Sequence, residues 1–431
     1  MIPGWRSHPD GAPLPPGPTF DARAERHYER DPWGVVEALI GRYGDTFTVY
    51  RPGRPPRVHV CAPDEVREIF IGHAVDLSVV ASSLFGELAG EHSVGGANGA
   101  EHRELRKLLA PSLHGDRLRA HSAAISRITA ETLDRRSTDA GVPLTGITQE
   151  ISLRVIVLFA FGHLPPERAD QILDTFHQVT DSLRSAGGGF PDRLDQLDTL
   201  VRREISRARH DPGPFAGSVL ADLAAAEPEV SDRTVRDQLV TLLVAAQEST
   251  PAAMAIAVDQ IHRHPQVLRA LRSELATLPA PVPLDRMADL PYLGAVCEEV
   301  LRFGSVVPTG FTRRVIRPFQ ALGWQFTAPT EFVACLHAVH RRPELYPIPG
   351  TFVPDRFLAC RFSGTEYLPF GTGARRCLGA ALALHEMKIA IGILLTMPGI
   401  AVRLHGSGSA RPRRSGPTLV PPDTIRIQRI R

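Results

Sequence analysis

Lysine is nearly absent from this sequence: only Lys107 and Lys388 are lysines among 49 residues of Lys and Arg. The chain of 431 residues also carries 47 acidic residues, so its formal net charge is only +2. Neither a basic stripe interleaved with aromatic residues nor a zinc-finger spacing is present. The composition therefore argues against a nucleic-acid-binding protein, and a compositional bias of the genome explains the arginines more simply.

Paired cysteines are missing as well. The cysteines are odd in number, lie far apart and form no C-x-x-C pair: Cys61, Cys297, Cys335, Cys360 and Cys377. This spacing disfavours a disulfide framework and a structural zinc site, and it fits a reducing compartment. A special role for one of these cysteines stays open.

Long apolar runs are also absent. The N-terminus has no segment suited to secretion or anchoring. The longest apolar runs, which begin at Val155 and Ile389, are far shorter than the roughly 20 residues of a membrane span. We therefore expect a cytoplasmic protein without a membrane anchor. Hydrophobic residues make up 43% and charged residues 22% of the chain, as in a globular protein with a large core.

Strand patterns occur near both ends of the chain. Residues 1–20 are rich in proline and glycine and are expected to form an extended lead-in. DTFTVY from Asp45 and RVHV from Arg57 predict a β-hairpin. A second strand-rich zone follows Phe311 and includes RRVIRPFQALGWQF and EFVACLHAVH. Strands so far apart in sequence favour one domain over residues 21–431.

Helical spacing of apolar residues dominates the rest of the sequence. It predicts helices in segments that begin near Asp31, Glu101, Thr148, Arg233, His264 and Leu378. Loops are expected at SAGGGFPDR near Ser185 and at RHDPGPF near Arg209. The predicted fold class is mainly α with a smaller β portion (α+β).

A cysteine loop, YLPFGTGARRCLGAALALHEMK, carries the most specific pattern. Gly371, Gly373 and Gly379 surround Cys377, which comes just before a long helical pattern. Glycines allow the backbone to approach a flat partner closely, and a helix N-terminus favours a thiolate over a thiol. Such a thiolate can ligate a metal. The alternative is a buried free cysteine after a glycine-rich loop, which is our interpretation of the other four cysteines.

This loop resembles the haem-binding signature of the cytochrome P450 family, F-G-x-G-x-[HR]-x-C-x-G. The fixed positions are filled by Phe370, Gly371, Gly373, Arg375, Cys377 and Gly379. The resemblance implies a helix-rich single domain with haem b between a central and a proximal helix. It also implies that Cys377 is the axial ligand of the haem iron, that Phe370 packs beside its sulfur, and that Arg375 pairs with a haem propionate.

Glu299 and Arg302 lie one helical turn apart in an otherwise apolar segment. Taken alone they could be an exposed surface pair worth a few tenths of a kcal/mol. The resemblance implies instead that they form a buried network with Arg356 of FVPDRF and brace the cysteine loop. A buried pair needs such a further partner.

His102 and Arg106 are spaced i, i+4 on one predicted helix face. Alone they are equally consistent with a solvated basic face. The resemblance implies that both bind haem propionates. It assigns the same role to an arginine of GFTRRV, for which Arg313 aligns best and Arg314 is possible.

LLVAAQESTPAAM resembles the family's central helix with its A-G-x-[DE]-T-[TS] motif. By position Glu248 is the acid, Ser249 the alcohol and Thr250 the next residue, and together they can relay protons. The alternative is a polar notch on an apolar helix.

The central segment departs from the motif at three positions. Ser249 replaces threonine, Ala246 replaces glycine, and Pro251 has no N–H for the carbonyl of Gln247. A proline in a helix interior costs about 3 kcal/mol, so we predict that the helix opens at Gln247.

The family position of the substrate pocket covers the segment 77–98 and a set of small, mostly apolar residues: Leu243, Ala246, Val306, Val307, Thr309, Thr418 and Leu419. The expected function is a monooxygenase that inserts one oxygen atom from O₂ into a hydrophobic small molecule, such as a terpenoid or another secondary-metabolite scaffold. Two alternatives stay open. One is a haem-thiolate enzyme of another class (oxidative coupling, rearrangement or peroxide-driven oxidation), and the other is a non-catalytic haem-binding or sensing module.

An external electron donor is expected for such an enzyme. The resemblance implies a ferredoxin and an NAD(P)H-dependent ferredoxin reductase, with the enzyme itself a monomer. A basic patch of Arg103, Lys107, Arg375 and Arg376 could receive an acidic ferredoxin, although a merely solvated basic face is equally consistent with the pattern.

Overall fold

The computed structural model describes residues 5–7, 14–80, 85–185, 189–226, 228–279, 284–404, 413–415, 418–420 and 425–430. Its helices are α1 Ala22–Arg30, α2 Pro32–Tyr43, α3 Pro63–Arg67, α4 Gly99–Leu109, α5 Gly115–Ala120, α6 Ser122–Arg136, α7 Leu144–Phe161, α8 Pro166–Ser185, α9 Phe190–His210, α10 Val219–Ala224, α11 Asp232–Ala246, α12 Ser249–Arg263, α13 Pro265–Leu275, α14 Leu284–Ala288, α15 Pro291–Gly304, α16 Leu336–His340, α17 Arg356–Ala359 and α18 Ala380–Thr396.

Its strands are shorter: β1 Trp5–Ser7, β2 Pro18–Phe20, β3 Thr46–Val49, β4 Arg57–Val60, β5 Leu77–Val79, β6 Val142–Pro143, β7 Arg313–Val315, β8 Phe319–Ala321, β9 Trp324–Phe326, β10 Glu331–Ala334, β11 Ile400–Leu404, β12 Arg413–Ser415, β13 Thr418–Val420 and β14 Ile425–Arg429. The predicted fold class, mainly α with a smaller β portion, is confirmed.

The largest sheet joins the two strand-rich zones. Its order is β3-β4-β10-β7-β5, and the β3–β4 hairpin predicted from the sequence pairs antiparallel. Strand β10 runs parallel to β4 and antiparallel to β7. Because β10 lies between strands from the two halves of the chain, the sheet connects residues near the N-terminus to the segment that follows α15.

Three sequence predictions need correction. Cys360, which was expected to be a buried cysteine, is exposed. EFVACLHAVH is strand only over Glu331–Ala334, and Leu336–His340 forms α16. All five residues of α16 are buried, so no polar face marks a helical period. The predicted loop SAGGGFPDR is helical from Phe190 onward because proline is tolerated in the first turn of α9. Residues 186–188 of that loop lie outside the described residues.

The main core forms where α7, α11, α12, α15 and α18 pack together. Two helical segments, Leu144–Phe161 and Asp232–Arg263, are long and apolar enough to span a membrane by composition alone. However, 72% and 67% of their apolar windows are buried inside the protein, as in core helices.

A buried carboxyl group lies in the middle of α18. Burial raises the pKa of Glu386 to about 8, and the nearby Ser152 hydroxyl opposes this shift. The folded protein therefore keeps the proton up to about pH 8, whereas the unfolded chain loses it near the ordinary pKa of 4.5. Since unfolding releases a proton between these two pKa values, the stability that the carboxyl contributes falls as pH rises through this window.

We expect Glu386→Gln to remove this pH dependence, because an amide cannot ionise. The gain in unfolding free energy over the wild type should be small near pH 4.5 and grow towards pH 8. Urea unfolding of both holoproteins at several pH values measures it. Parallel pH profiles of the two proteins would show that Glu386 does not titrate in this way.

Candidate active site

The cysteine loop is a tight turn that packs on the segment Glu68–Gly72. Gly371 and Gly373 adopt φ values of 68° and 64°, a left-handed conformation that favours glycine. A Cβ atom on Gly373 would lie 3.0 Å from the Phe70 carbonyl oxygen, so a larger residue would separate these two segments. The Cys377 N–H donates to the Phe370 carbonyl at 2.8 Å and closes the loop just before α18.

Cys377 keeps an exposed surface although protein surrounds it on most sides. Burial raises the pKa of its thiol, while a hydrogen bond from the Gly379 N–H and the positive charges of Arg376 and Arg106 lower it. The Arg376 guanidinium also lies 5.9 Å from the centre of the Phe370 ring. Burial is the largest of these effects and the pKa of the free thiol is raised overall, so a metal cation bound to the sulfur would be what stabilises the thiolate.

The four predicted propionate-binding residues, His102, Arg106, Arg313 and Arg375, lie close together and form what we call the cationic cluster. Desolvation lowers the pKa of His102 to about 4, and the charges that lower it further are arginines. Desolvation, followed by the charge of Arg375, lowers the pKa of Arg313 to about 10. Three mutually repelling, partly buried arginines beside a neutral histidine fit an anionic ligand, and the two carboxylates of a haem have the required charge.

The structure distinguishes the two arginine candidates of strand β7. Arg314 forms an ion pair with Glu331 at 2.8 Å, and Glu331 also binds Arg57 at 2.9 Å. Arg313 instead lies within the electrostatic range of Arg375 and His102. Arg313 is therefore the member of the pair that joins the cationic cluster.

Sequence reasoning missed the contacts of Arg375 with the loop before α4. Its guanidinium donates to the carbonyls of Val94 and Ala97 and, at 2.8 Å, to the Asn98 side chain. Desolvation, followed by the charge of Arg106, lowers its pKa to about 10. The sequence contained one indication that this loop lies near the haem site, namely the family position of segment 77–98 at the substrate pocket. Residues 81–84 of that segment lie outside the described residues.

The other end of this loop is attached to α11. The His92 N–H donates to Asp237 at 3.1 Å, and the Val94 N–H donates to the Gln238 side chain at 2.9 Å. The loop is thus held between the central helix and the cysteine loop.

Glu299, Arg302 and Arg356 form a contiguous buried network, as the resemblance implies. Arg302 donates two hydrogen bonds of 2.7 Å to Glu299, and both side chains are 0% exposed. Arg356 approaches the same carboxylate at 3.2 Å. The Glu299 carboxylate also accepts a hydrogen bond from the Val353 N–H at 2.8 Å, and the Arg302 guanidinium donates to the His340 carbonyl at 2.9 Å. It therefore connects α15 to the chain that leads into the cysteine loop.

The central helix is interrupted where the sequence predicts, because α11 ends at Ala246 and α12 begins at Ser249. The Ser249 hydroxyl donates to the Ala245 carbonyl at 3.2 Å. Thr250 is buried, while Glu248 and Ser249 are half-buried. The Gln247 side-chain nitrogen is buried and has no hydrogen-bond partner among the described residues.

The predicted pocket residues differ in exposure. Leu243, Val306 and Leu419 are buried in the described part of the chain, and the Leu419 N–H donates to the Val306 carbonyl at 2.7 Å. Thr418 is buried as well, whereas Ala246, Val307 and Thr309 keep partly exposed side chains.

Ala245 was not among the predicted pocket residues, although it lies on the same helix as Leu243 and Ala246. It is exposed although Val244 and Leu243 before it are buried. Its position one turn before Ser249 could have identified it, because residues at i and i+4 share a helix face.

Comparisons with known proteins agree with this geometry. The cytochrome P450 family model matches residues 190–397. "Putative cytochrome P450 135B1" of Mycobacterium tuberculosis is 28% identical over 445 residues, which cover 96% of this chain and 91% of that protein. "Putative cytochrome P450 138" of the same species is 28% identical over 416 residues, covering 90% and 91%.

A solved structure has the same fold. Cyanobacterial CYP120A1 with bound retinoic acid superposes with a TM-score of 0.78 at 21% identity, and the match covers 95% of this chain and 94% of that one. Together, the family model, the related sequences and this match in fold indicate a cytochrome P450, that is, a haem-dependent monooxygenase.

Proposed function

We propose that this enzyme inserts one oxygen atom from O₂ into a hydrophobic small molecule of secondary metabolism, such as a terpenoid. The observation that carries the proposal is that the Cys377 loop and the cationic cluster lie together, and that the loop before α4 connects them to the central helix. The apolar side chains of Ala246 and Val307 are partly exposed and favour a substrate with a hydrophobic scaffold. The retinoic acid in the structure of the cyanobacterial relative is an isoprenoid, so this fold accepts a ligand of that class.

We further propose that residues 21–431 form one catalytic domain that holds haem b in the cytoplasm. In this assignment Cys377 ligates the iron, Phe370 packs beside the sulfur, and the cationic cluster binds the propionates. When bound, the haem supplies redox activation of dioxygen, and the thiolate ligand donates electron density that favours O–O cleavage. A ferredoxin and its NAD(P)H-dependent reductase are the proposed electron donors to a monomeric enzyme.

The interrupted helix supplies polar groups for proton transfer. The Gln247 carbonyl cannot accept a hydrogen bond from Pro251, and the Gln247 amide nitrogen has no partner among the described residues. Buried polar groups of this kind ordinarily bind water. Such a water next to Glu248 and Ser249 would complete a path along which these side chains hold and pass protons.

Arg313→Ala is expected to lower haem retention, because it removes one of the cations of the cluster. The matched control is Arg314→Ala on the same strand. In that variant Glu331 keeps its ion pair with Arg57, so haem retention should match the wild type. Transfer of haem to an apoglobin acceptor measures the loss rate, and we expect a roughly tenfold or larger increase for Arg313→Ala alone, since a charge-assisted bond contributes about 1.5–3 kcal/mol. Equal rates in the two variants would contradict the assignment of Arg313.

Pro251→Ala is expected to close the interruption, because it restores an N–H that the Gln247 carbonyl can accept. The variant should be more stable, by at most about 3 kcal/mol. It should form less product per NAD(P)H, because the Gln247 carbonyl would bind the helix N–H instead of a water that relays protons. Pro265→Ala is the control, since proline in the first turn of α13 leaves the helix intact. Unchanged product coupling in Pro251→Ala would refute a role of the interruption in proton delivery.

The proposed reaction is tested by a screen of apolar compounds against the purified holoprotein. A compound that shifts the haem spin state is then turned over with ferredoxin, reductase and NAD(P)H under ¹⁸O₂. Incorporation of one ¹⁸O atom into the product supports monooxygenation, and products without ¹⁸O refute it.

The interruption, together with Ala246 and Ser249 in place of glycine and threonine, motivates a second candidate, a haem-thiolate enzyme of another reaction class. Turnover with peroxide but not with ferredoxin and NAD(P)H would favour it. A protein that binds ligands but never consumes reducing equivalents would instead be a haem-binding or sensing module.

A further inference from the structure

Two buried cysteines meet at the point where parallel strands leave the largest sheet. Cys61 follows β4 and Cys335 follows β10, whose last paired residues are Val60 and Ala334. The Cys335 N–H donates to the Val60 carbonyl at 2.9 Å, so the two chains stay adjacent beyond the strands. Neighbouring strands lie about 4.8 Å apart, within the range of Cα separations, about 4.4–6.8 Å, that a disulfide can bridge.

Their side chains also contact each other. The two thiols share a hydrogen bond, and neither residue is more than 1% exposed. The His59 imidazole, stacked on Phe47, places its Nδ1 atom 3.5 Å from the Cys335 sulfur. The pair therefore combines a thiol next to a base with a second thiol in direct contact.

The two thiols differ in acidity. The hydrogen bond from Cys61 and the neighbouring His59 lower the pKa of Cys335 to about 6, although burial opposes them. Burial raises the pKa of Cys61, and the carboxylates Asp45 and Glu65 raise it further. This difference favours Cys335 as the attacking thiolate and Cys61 as the resolving thiol.

We propose that Cys61 and Cys335 form a reversible intramolecular disulfide when the protein meets hydrogen peroxide. In the first step the Cys335 sulfur attacks one peroxide oxygen and breaks the O–O bond. The departing hydroxide takes the proton of the Cys335 thiol through His59 and leaves as water, so Cys335 becomes a sulfenic acid. In the second step the Cys61 sulfur attacks the Cys335 sulfur, and the hydroxyl group leaves as water with the Cys61 proton. Two thiols lose two electrons to one peroxide and give a disulfide and two waters.

The disulfide would cross-link the N-terminal part of the chain to the segment after α15. A cross-link between residues so distant in sequence restricts the unfolded chain and stabilises the folded protein. This inference is independent of the proposed substrate and concerns the stability of the protein under oxidising conditions.

The test uses the holoprotein treated with hydrogen peroxide at concentrations that leave the haem absorbance intact. Free thiols are alkylated after denaturation, and a non-reducing digest is analysed by mass spectrometry. We expect a Cys61–Cys335 linked peptide that dithiothreitol removes, together with a higher Tm of the oxidised protein. Full alkylation of both residues, their overoxidation without a linked peptide, or linkage to other cysteines would overturn the proposal.

Variants separate the roles of the three residues. Cys61→Ala and Cys335→Ala should each abolish the linked peptide and the rise in Tm, whereas Cys297→Ala, a buried cysteine elsewhere, should keep both. His59→Phe preserves an aromatic ring that can stack on Phe47 but removes the base. It should therefore slow formation of the linked peptide at least several-fold. An unchanged rate in His59→Phe would overturn the role of His59. If a variant fails to fold, the wild-type experiment by itself still tests the proposal.

Discussion

Replacement of Cys377 by serine is expected to abolish the strongly red-shifted Soret band of the ferrous–CO complex, together with all monooxygenase turnover. Serine preserves the size of the side chain but replaces the thiolate with an alcohol, a much poorer and harder ligand for haem iron. The loop itself should survive, because the Cys377 N–H still donates to the Phe370 carbonyl and the glycine conformations do not depend on sulfur. The measurement is the ferrous–CO difference spectrum of the purified variant beside the wild type.

Cys360→Ser is the matched control, since Cys360 is the other exposed cysteine in the described part of the chain. Its spectrum should be that of the wild type. A red-shifted band that persists in Cys377→Ser, or one that disappears in Cys360→Ser, would show that Cys377 is not the iron ligand.

Glu299→Ala is expected to prevent accumulation of folded holoprotein. The substitution leaves Arg302, which is 0% exposed, and the largely buried Arg356 without their shared carboxylate. Removal of one partner from a buried ion pair costs about 3–5 kcal/mol, a large part of the roughly 5–15 kcal/mol that stabilises a typical domain. The Val353 N–H also loses its acceptor. Soluble yield, haem content and urea unfolding measure the effect.

Glu298→Ala, at the adjacent position of α15, is the control. The Glu298 side chain is half-buried and lies outside the Glu299 network, so the variant should yield folded holoprotein. An unfolding free energy of Glu299→Ala within about 1 kcal/mol of the wild type would show that the network adds little net stability, an outcome known for some buried ion pairs that are replaced as a whole.

Motifs with fixed spacing were the part of the site that the sequence predicted well. The one-turn spacing of Glu299 and Arg302 implied a pair, and their apolar surroundings implied burial. Pro251 predicted the helix interruption, because the missing N–H acts locally. The choice between Arg313 and Arg314 needed the structure, since adjacent strand residues point to opposite faces and the sequence does not state which face meets the site.

Contacts between distant segments could not be predicted. No local pattern indicates that β4 pairs in parallel with β10, or that the Arg375 guanidinium contacts the loop at Val94 and Ala97. The fully buried α16 was mistaken for strand because a segment without a polar face has no readable period. The pocket prediction was least specific: family position selected Leu243 and Leu419, but their burial depends on neighbours from other elements.

The central position of β10 in the largest sheet has a consequence for biosynthesis. During translation the β3–β4 hairpin leaves the ribosome long before β10, so the free edge of β4 stays unpaired until most of the chain has been made. Exposed strand edges invite association with other chains, and such long-range pairing is slow to form. Nascent chains should therefore be most prone to aggregation, and most dependent on chaperones, in the interval between synthesis of β4 and release of β10.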